Sequence, residues 1–549
     1  MKKLLCLLLS LSMLLSAAML GGCAEENEVD VDSNVDTSRT AVTLGMWIIS
    51  ENKVSKETEK EVEDAINEFT KTKFTTKIDL FFCTEEEYKE TVDKRFDKIV
   101  NRPAGTPIKP VTKGEMYELD DEGFKVLAYP EIGAYQMDIV LITSEDMLRE
   151  YVNDGHLMSL NDALGDDYKI INTYVYNDIM DNAKIDGEWF AVPNNQLIGE
   201  FTYMMVNKKL ADAYYYTDYF DGSQSATFGI DQPVAELIEL IAKNEDTSKI
   251  APVYGMADFP LVKYWNTTGG LQSVLATVYP GASVQCGAFS PKADTLFADG
   301  SYQSFMKLMF HCKENGYFMT TQETFGVGVM TGDYTLYDQY KDDYYIIPIA
   351  YPRLEQADIF SSMFAVTKYT VNDQRALEII EELTCRSELR NMLQYGVEGT
   401  HYTLDEDGAV KRIRNEDGTC DYLMNIAYTG NVMMAYPEEG MPLDIWKAAV
   451  QQNLQSLLSG VFGADEMLKG VDAEAWKQMS EISDSYFDRL YECETVSEFE
   501  TYMAVASKEI RATDYYTKLT TLFLPNNEVD TSSLSGALTQ WWTDTFGEK

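Results

Sequence analysis

The chain has very little histidine and half as many basic as acidic residues. Only 3 histidines occur among its 549 residues, and they are too few and too scattered for a His-rich metal site. Lys and Arg total 45 against 90 Asp and Glu, so the formal net charge is −45. A surface this acidic repels nucleic acid and anionic lipid, and we expect neither as a direct partner.

Short sequence motifs typical of catalytic, metal-binding and phosphate-binding sites are also absent from the sequence. The sequence holds no CxxC, GxSxG, HExxH or phosphate-loop string, and we expect no metal, no cofactor and no enzymatic activity. The acidic turns at 405–408 and 415–418 do not fit the ligand spacing of a calcium-binding EF-hand, and a hairpin joining two strands explains them better. With 90 carboxylates a suitably spaced pair exists by chance, so a glycoside hydrolase stays as the least favoured alternative.

Residues 1–22 have the layout of an export signal. Two lysines precede an apolar stretch over 4–20, and two glycines follow it, which fits a secretory signal rather than a spanning helix. Cys23 comes next, in a Leu-Gly-Gly-Cys string that resembles the bacterial lipobox, whose cysteine receives lipid such as palmitate. Two or more acyl chains hold a protein stably on a membrane. We expect a lipoprotein anchored through Cys23 on the extracellular face of the cell membrane, with a plain signal peptide as the alternative.

The remaining chain divides into a tether and a large body. Residues 23–40 are mostly acidic and polar, and predict a flexible tether. The body of about 510 residues is too long for one core, which favours two lobes. It holds six cysteines, at positions 83, 286, 312, 385, 420 and 493. Their wide spacing permits disulfides and equally permits buried free thiols.

The body alternates apolar strands with amphipathic helices, a pattern typical of an α/β fold. An insertion at 101–135 interrupts it and predicts a short hairpin around the turn 120–123. The predicted strands are 42–49, 76–82, 138–143, 325–330, 345–349 and 363–366, and the first helices are 55–69 and 85–99.

Four stretches together resemble a known family. They are the strand around Trp47 after the tether, Asp-Gly-Glu-Trp-Phe-Ala-Val-Pro at 186–193 with Tyr-Met-Met-Val-Asn-Lys-Lys-Leu at 203–210, Met-Phe-Ala-Val at 363–366 with Tyr-Gly-Val-Glu-Gly-Thr-His-Tyr at 395–402, and Tyr-Thr-Gly-Asn-Val at 428–432. The chain is similar to extracellular solute-binding proteins of carbohydrate-type ABC importers, family 1, which includes maltose-binding protein. It most resembles the large lipoprotein branch of Gram-positive bacteria, for which the 395–402 string is the most specific.

The resemblance implies a two-lobed, periplasmic-binding-protein-like α/β fold with a hinge and extra C-terminal helices. We expect lobe 1 at 41–190, with 326–360 returning to it, and lobe 2 at 191–325, with 361–549 including the helical extension. A monomer would capture a sugar or an oligosaccharide between the lobes and deliver it to the subunits of an ABC permease. A sensory binding component and a receptor for another solute, such as a peptide, remain alternatives.

Sugar sites combine aromatic platforms with planar hydrogen-bonding groups. The aromatic candidates are Trp47, Tyr203, Tyr264 and Trp265, with core packing as the alternative reading. The polar candidates are Ser144, Glu145, Asn194, Asn195 and Glu398, and helix capping or turn formation is the alternative for each.

Overall fold

Strands and helices alternate along the chain. The computed structural model describes residues 39–108, 117–119, 125–222, 228–254, 297, 300–319, 324–458, 492–514 and scattered positions between 474 and 490. None of the helices in these ranges combines the length and the apolar character that a membrane crossing requires. The strands are β1 Val42–Ile49, β2 Thr76–Cys83, β3 Tyr117–Leu119, β4 Lys125–Leu127, β5 Ile139–Ile142, β6 Ala191–Pro193, β7 Phe201–Asn207, β8 Ala251–Tyr254, β9 Phe318–Met319, β10 Phe325–Gly332, β11 Tyr344–Ala350, β12 Arg353–Leu354, β13 Met363–Val366, β14 Tyr402–Leu404, β15 Val410–Arg412 and β16 Leu457–Leu458.

The helices confirm the 3.6-residue periodicity that the sequence shows around 55–69 and 85–99. They are α1 Lys56–Phe74, α2 Glu85–Val100, α3 Glu145–Asn153, α4 Asn161–Gly165, α5 Ile171–Tyr174, α6 Asn177–Asn182, α7 Lys208–Ala213, α8 Thr217–Phe220, α9 Pro233–Asn244, α10 Gly300–Glu314, α11 Tyr334–Tyr340, α12 Gln356–Phe360, α13 Asp373–Cys385, α14 Glu388–Tyr395, α15 Ile445–Gln455 and α16 Val496–Arg511. Two short 3-10 turns lie at Ile426–Tyr428 and Val432–Met434.

The first sheet has the strand order β2-β1-β5-β13-β6. β1 runs parallel to β2 and β5, whereas β13 runs antiparallel to β5 and β6. β1 and β5 are buried along nearly their whole length, as parallel strands usually are, because helices such as α1, α2 and α13 pack against the sheet. The strands predicted over 42–49, 76–82, 138–143 and 363–366 are confirmed.

The second sheet has the strand order β11-β7-β10-β8-β9. Both neighbours of β7 run antiparallel to it. Side chains alternate between two faces: Met204 and Val206 join a core with α9, α10 and α16, whereas Phe201 and Tyr203 join a smaller aromatic cluster. Because each sheet has its own buried core, the molecule has two lobes, as the sequence predicts.

The chain passes between the lobes at other points than the sequence predicts. The expectation that 326–360 returns to lobe 1 and that everything from 361 onward belongs to lobe 2 is wrong. β10 and β11 pair with β7 in the second sheet, and β13 pairs with β5 and β6 in the first. The local sequence of a short apolar strand does not specify the distant strand with which it pairs. The sequence pattern therefore could not assign β10, β11 and β13 to the correct sheet.

Three crossing segments therefore join the lobes. The first, 194–200, links β6 to β7, and the second, 351–362, links β11 to β13. The third contains α15 and β16 and leads towards α16, which packs in the core of the second lobe. β12 and β16 pair in parallel, so the second and third crossings are joined by backbone hydrogen bonds.

Two predicted hairpins are also present. β3 and β4 pair antiparallel inside the 101–135 insertion, and β14 and β15 pair antiparallel across the 405–408 turn. In that turn the Asp405 carboxylate accepts the backbone N–H groups of Asp407 and Ala409. These bonds explain the acidic residue without calcium, since a side-chain oxygen closes the turn.

Candidate functional site

The carboxyl ends of the parallel strands meet at one edge of the first sheet. β1, β2 and β5 end there, and the first crossing leaves β6 from the same edge. Ligands of open α/β sheets bind outside this edge, because helix N-termini and loop side chains converge there. The crossings attach to the same edge, which therefore defines the candidate site on the first lobe.

Ser144 and Glu145 lie at this edge with different functions. The Ser144 hydroxyl accepts the Met147 N–H at 3.2 Å and so caps α3. The Glu145 side chain is only 17% exposed and accepts from the Arg149 guanidinium at 2.7 Å. Its second oxygen accepts from the Gln356 amide in the second crossing. Glu145 therefore ties the sheet edge to a crossing segment, while Ser144 serves as a cap.

Asn194 and Asn195 begin the first crossing and are both buried. The Asn194 amide donates to the Ser362 hydroxyl at 2.8 Å, where the second crossing meets β13. The Asn195 carbonyl accepts the Val432 N–H at 2.8 Å. Side-chain Oδ1 of Asn194 and Oε1 of Gln356 are buried without a hydrogen-bond partner among the residues described. Buried acceptors are normally satisfied, so these two oxygens are unusual as unpaired acceptors at the crossings.

Two amides on α15 hold the first crossing, and sequence reasoning missed both. Asn453 accepts the Ile198 N–H at 3.0 Å and donates to the Gln196 carbonyl at 2.8 Å. Gln452 donates to the carbonyls of Ile198 and Gly199. Its own Oε1 accepts the backbone N–H of Tyr334 at the start of α11 in the second lobe, at 3.0 Å. The third crossing thus fixes the first and reaches the far lobe.

A clamp of three polar side chains on α14 shapes the loop 424–436. Arg390, fully buried, donates to the Ile426 carbonyl at 3.1 Å. Gln394 donates to the Met424 carbonyl at 2.7 Å, and Asn391 donates to the Met434 carbonyl at 3.0 Å. Burial lowers the pKa of the Arg390 guanidinium to about 10, which leaves it charged at neutral pH. The clamp is a fixed support for the loop.

The clamped loop presents Tyr428 at the edge of the first lobe. Its ring is half-buried, and burial together with the neighbouring Glu85 carboxylate raises the pKa of its hydroxyl. Glu85 opens α2, directly after β2. The Ala427 carbonyl beside it accepts the hydroxyl of Ser362 at 2.6 Å. Tyr428 and Glu85 thus form an aromatic and carboxylate pair that belongs to the same edge as the crossings.

The second lobe carries tyrosines where its sheet meets the crossings. β10 ends opposite the start of β7, so Asp333 and α11 lie at the hinge end of the sheet. Burial raises the pKa of Tyr203, and the groups that raise it further are Asp333, Tyr337 and Tyr351. Tyr337 is 48% exposed and Tyr351 is half-buried. The Tyr337 ring is exposed, whereas the Tyr351 ring packs partly against Phe201 with centroids 5.8 Å apart, and sequence reasoning identified neither residue.

Trp47 and Tyr203 lie in cores instead of presenting a ring to the site. Trp47 stacks on Phe81 with ring centroids 4.3 Å apart, and the Arg95 guanidinium lies 5.4 Å from its ring. Tyr203 stacks on Phe201 at 5.0 Å. Trp47 and Tyr203 are each 3% exposed, and a sugar platform needs an open ring face. We therefore correct both expectations and assign these residues to packing.

Glu398 and His401 belong to the turn that follows α14. Glu398 is exposed, and its backbone forms a bridge with Tyr402. The His401 Nδ1 accepts the Val397 N–H at 3.0 Å, so this ring fixes the turn. The polar groups at the crossings do not include Glu398, whose ligand role stays a prediction without a contact that supports it.

Other predictions concern chemistry outside the crossings. Tyr264, Trp265 and Cys23 lie outside the described residues. Five cysteines inside them, at positions 83, 312, 385, 420 and 493, are buried free thiols. Burial raises the pKa of Cys312 and of Cys385 to about 12, which favours the protonated thiol at neutral pH. No group of three or more metal-ligating side chains occurs in the part of the chain that the structure describes.

No family model and no curated protein matches the chain, but solved structures do. The N-glycan transport solute binding protein NgtS of Streptococcus pneumoniae superposes with a TM-score of 0.52 at 14% identity, covering 92% of this chain and 99% of that chain. An extracellular solute-binding protein of Bifidobacterium longum subsp. infantis gives 0.43 at 12% identity, with 94% and 100% covered. The likeness to NgtS confirms the predicted two-lobed solute-binding-protein fold.

Proposed function

We propose that this chain is a membrane-anchored extracellular solute-binding protein that captures a sugar or an oligosaccharide between its lobes and delivers it to an ABC permease. Two separately packed lobes joined by three crossings support the proposal, because such a molecule can close on a ligand by hinge bending. Clefts between lobes are also where small-molecule sites usually lie.

The observation that carries the proposal is the pairing of chemistry at the crossings. Tyr337 and Tyr351 on the second lobe and Tyr428 on the first supply rings. The buried oxygens of Asn194 and Gln356 lack partners among the described residues and have the capacity to accept hydrogen bonds from sugar hydroxyls. Rings stack on the apolar faces of a pyranose, while planar amides and carboxylates read its hydroxyl rim.

Binding without catalysis is part of the proposal. Glu145 is engaged with Arg149 and Gln356, and Glu85 lies beside Tyr428. Cleavage of a glycosidic bond needs one carboxyl group as proton donor and a second as nucleophile or base. Carboxylates held in side-chain contacts suit recognition of hydroxyls better than proton transfer. Tyr264 and Trp265 stay candidates for additional platforms.

The lipid anchor completes the proposed mechanism. With Cys23 acylated, the polar tether 23–40 would keep the lobes close to the membrane, which raises their effective concentration at a permease. A Cys23→Ala protein should therefore leave the membrane fraction while its melting temperature stays unchanged. Retention of that variant in washed membranes would contradict the anchor and would leave ligand capture untouched.

Calorimetry tests ligand capture directly. The full-length protein is titrated with neutral oligosaccharides, and mannose–N-acetylglucosamine fragments come first because the name of NgtS specifies N-glycan transport. We expect one ligand per chain, recovered intact by chromatography after binding. Shortened products in the recovered ligand would contradict a binding protein, and absence of binding to every neutral oligosaccharide of the panel would contradict the sugar proposal.

A further inference from the structure

Helix α7 ends in a tight turn with an unusual residue at its critical position. The Tyr216 N–H donates to the Ala211 carbonyl at 2.7 Å, and the Tyr215 N–H donates to the Asp212 carbonyl at 3.1 Å. This pair of bonds defines the Schellman motif, whose left-handed residue is usually glycine. Here it is Tyr215, with a φ of 63°. A side chain is disfavoured in that region because its Cβ crowds the following carbonyl.

The Tyr215 side chain gains almost nothing from the fold in return. It is 92% exposed, whereas Tyr219 and Tyr337 are 41% and 48% exposed. An exposed aromatic ring forgoes the burial that normally stabilises it, and the strained backbone adds to this disadvantage. Residues that break a local rule without a gain in the folded state concentrate at functional sites. Tyr215 combines two such departures at one position.

The neighbouring tyrosines are held by acidic side chains. The Tyr214 hydroxyl donates to Glu245 at 2.7 Å, and the Tyr216 hydroxyl donates to Glu236 at 2.6 Å. Burial and the Glu236 carboxylate raise the pKa of Tyr216 to about 12. The ring of Tyr219 lies 6.0 Å from that of Tyr216. We call Tyr214, Tyr215, Tyr216 and Tyr219 the tyrosine corner. Tyr215 and Tyr219 present exposed rings there, whereas Tyr214 and Tyr216 pack partly against the core of the second lobe.

We propose that the tyrosine corner docks a partner protein through a lysine or arginine side chain placed over Tyr215. A cation is attracted to the face of an aromatic ring, and Tyr215 has the most exposed ring of the four. Glu236 and Glu245 add direct charge complementarity, and the net charge of −45 steers a basic surface towards the protein. Tyrosine and arginine are also the residues that dominate the energy of protein interfaces.

The test uses a fluorescein-labelled peptide of nine arginines and measures its anisotropy at physiological salt. Tyr215→Asn removes the ring and keeps a residue that tolerates the left-handed region. We expect the peptide to bind this variant at least threefold more weakly, while the melting temperature stays equal or rises. Leu404→Asn is the matched control, because Leu404 is an exposed apolar residue, 38% accessible, on the other lobe; its affinity should stay within twofold of the wild type.

Three results would overturn the proposal. Equal peptide affinity in wild type and Tyr215→Asn would mean that net charge alone attracts the peptide. An equal loss in Leu404→Asn would remove the specificity of the corner. A loss of affinity for a neutral hexasaccharide, without a loss for the peptide, would make the corner a saccharide surface. None of these outcomes depends on the ligand bound between the lobes.

Discussion

The two lobes are both built on five-stranded sheets and differ in what their sheets bury. The first sheet buries mostly aliphatic residues, such as Ile139 and Leu141, on its parallel strands. The second sheet covers one face with helices and gives the other to a small aromatic cluster that includes Phe325 and Tyr344. The difference teaches that sheets of equal size can support an aliphatic core in one lobe and a cluster of aromatic side chains in the other.

The polar groups show the same division. On the first lobe, hydrogen bonds of Asn194 and Glu145 secure the crossings. On the second lobe, the groups nearest the crossings are tyrosines, the exposed Tyr337 and the half-buried Tyr351. We infer that the first lobe sets the geometry of the site and that the second contributes ring surface to the ligand. Changes in the first lobe should therefore affect stability, and changes in the second should affect affinity.

The largest expected effect is that of Asp138→Asn in the first lobe. The buried carboxylate accepts from Gly45 N and Gln136 at 2.7 Å, and from Thr370 and Val371 N at 2.6 and 2.8 Å. An amide would turn N–H groups towards these donors, so we expect a loss of about 3 kcal/mol in unfolding free energy. Urea denaturation measures it. Asp186→Asn, at an exposed turn, should change stability by less than about 0.5 kcal/mol. Equal losses in the two variants would contradict the claim that the buried bonds of Asp138 stabilise the first lobe.

The next effect concerns communication between the lobes. Asn453→Leu removes the two bonds that this side chain makes to the first crossing, keeps those of Gln452, and leaves the Ile198 N–H and the Gln196 carbonyl unsatisfied. We expect about 2 kcal/mol of destabilisation and two resolved calorimetric transitions where the wild type shows coupled melting. Asn315→Ala, at the exposed end of α10, is the control. A single transition in Asn453→Leu would show that α15 does not couple the lobes.

A smaller effect is expected from the second lobe and appears in ligand binding. Tyr337→Ser removes an open ring at the crossings and should weaken oligosaccharide binding about fivefold, which is about 1 kcal/mol of stacking energy. Thermal stability should hardly change, because the ring is 48% exposed. Tyr219→Ser, in the same lobe but in the tyrosine corner, should bind as the wild type does. Equal binding by all three proteins would remove Tyr337 from the site.

The smallest effect is a dependence on pH that belongs to the first lobe. Burial lowers the pKa of His156 and His401, and His156 stacks on Phe96 with centroids 4.1 Å apart. A lowered pKa favours the neutral ring in the folded state, so stability is full above about pH 6.5 and falls as pH drops through the lowered value. Calorimetry should show the melting temperature falling in acid, and falling less in His156→Gln. An equal fall in the two proteins would contradict this.

The sequence was sufficient for features that local pattern determines. Continuous apolar runs located β1 and β5, and the turn at 405–408 located the hairpin of β14 and β15. Trp47 shows where local pattern ends, because its burial depends on Phe81, a residue on another strand. The order of strands in the second sheet is likewise a property of distant pairings.

The candidate site was predictable only in part for the same reason. Polar residues at strand ends identified Glu145 and Asn194, which do reach the crossings. Gln452 and Asn453 escaped notice because amides on a helix usually face solvent. Both lie on α15 and are at most 3% exposed, and no local sequence pattern indicates this burial. The chain has 35 tyrosines, and the sequence around Tyr337 and Tyr351 does not distinguish these two from the others. Only their position beside the crossings does so.

The three crossings also have a consequence for a chain that has been cut. A protease that nicks the first crossing near Gly199, which is exposed, would leave the lobes joined covalently through the other two. The bonds of Gln452 and Asn453 would hold the new ends close to their original places. The nicked molecule should migrate as one species on a native gel and separate into two pieces only in denaturant. A molecule built in this way can tolerate a break in its backbone.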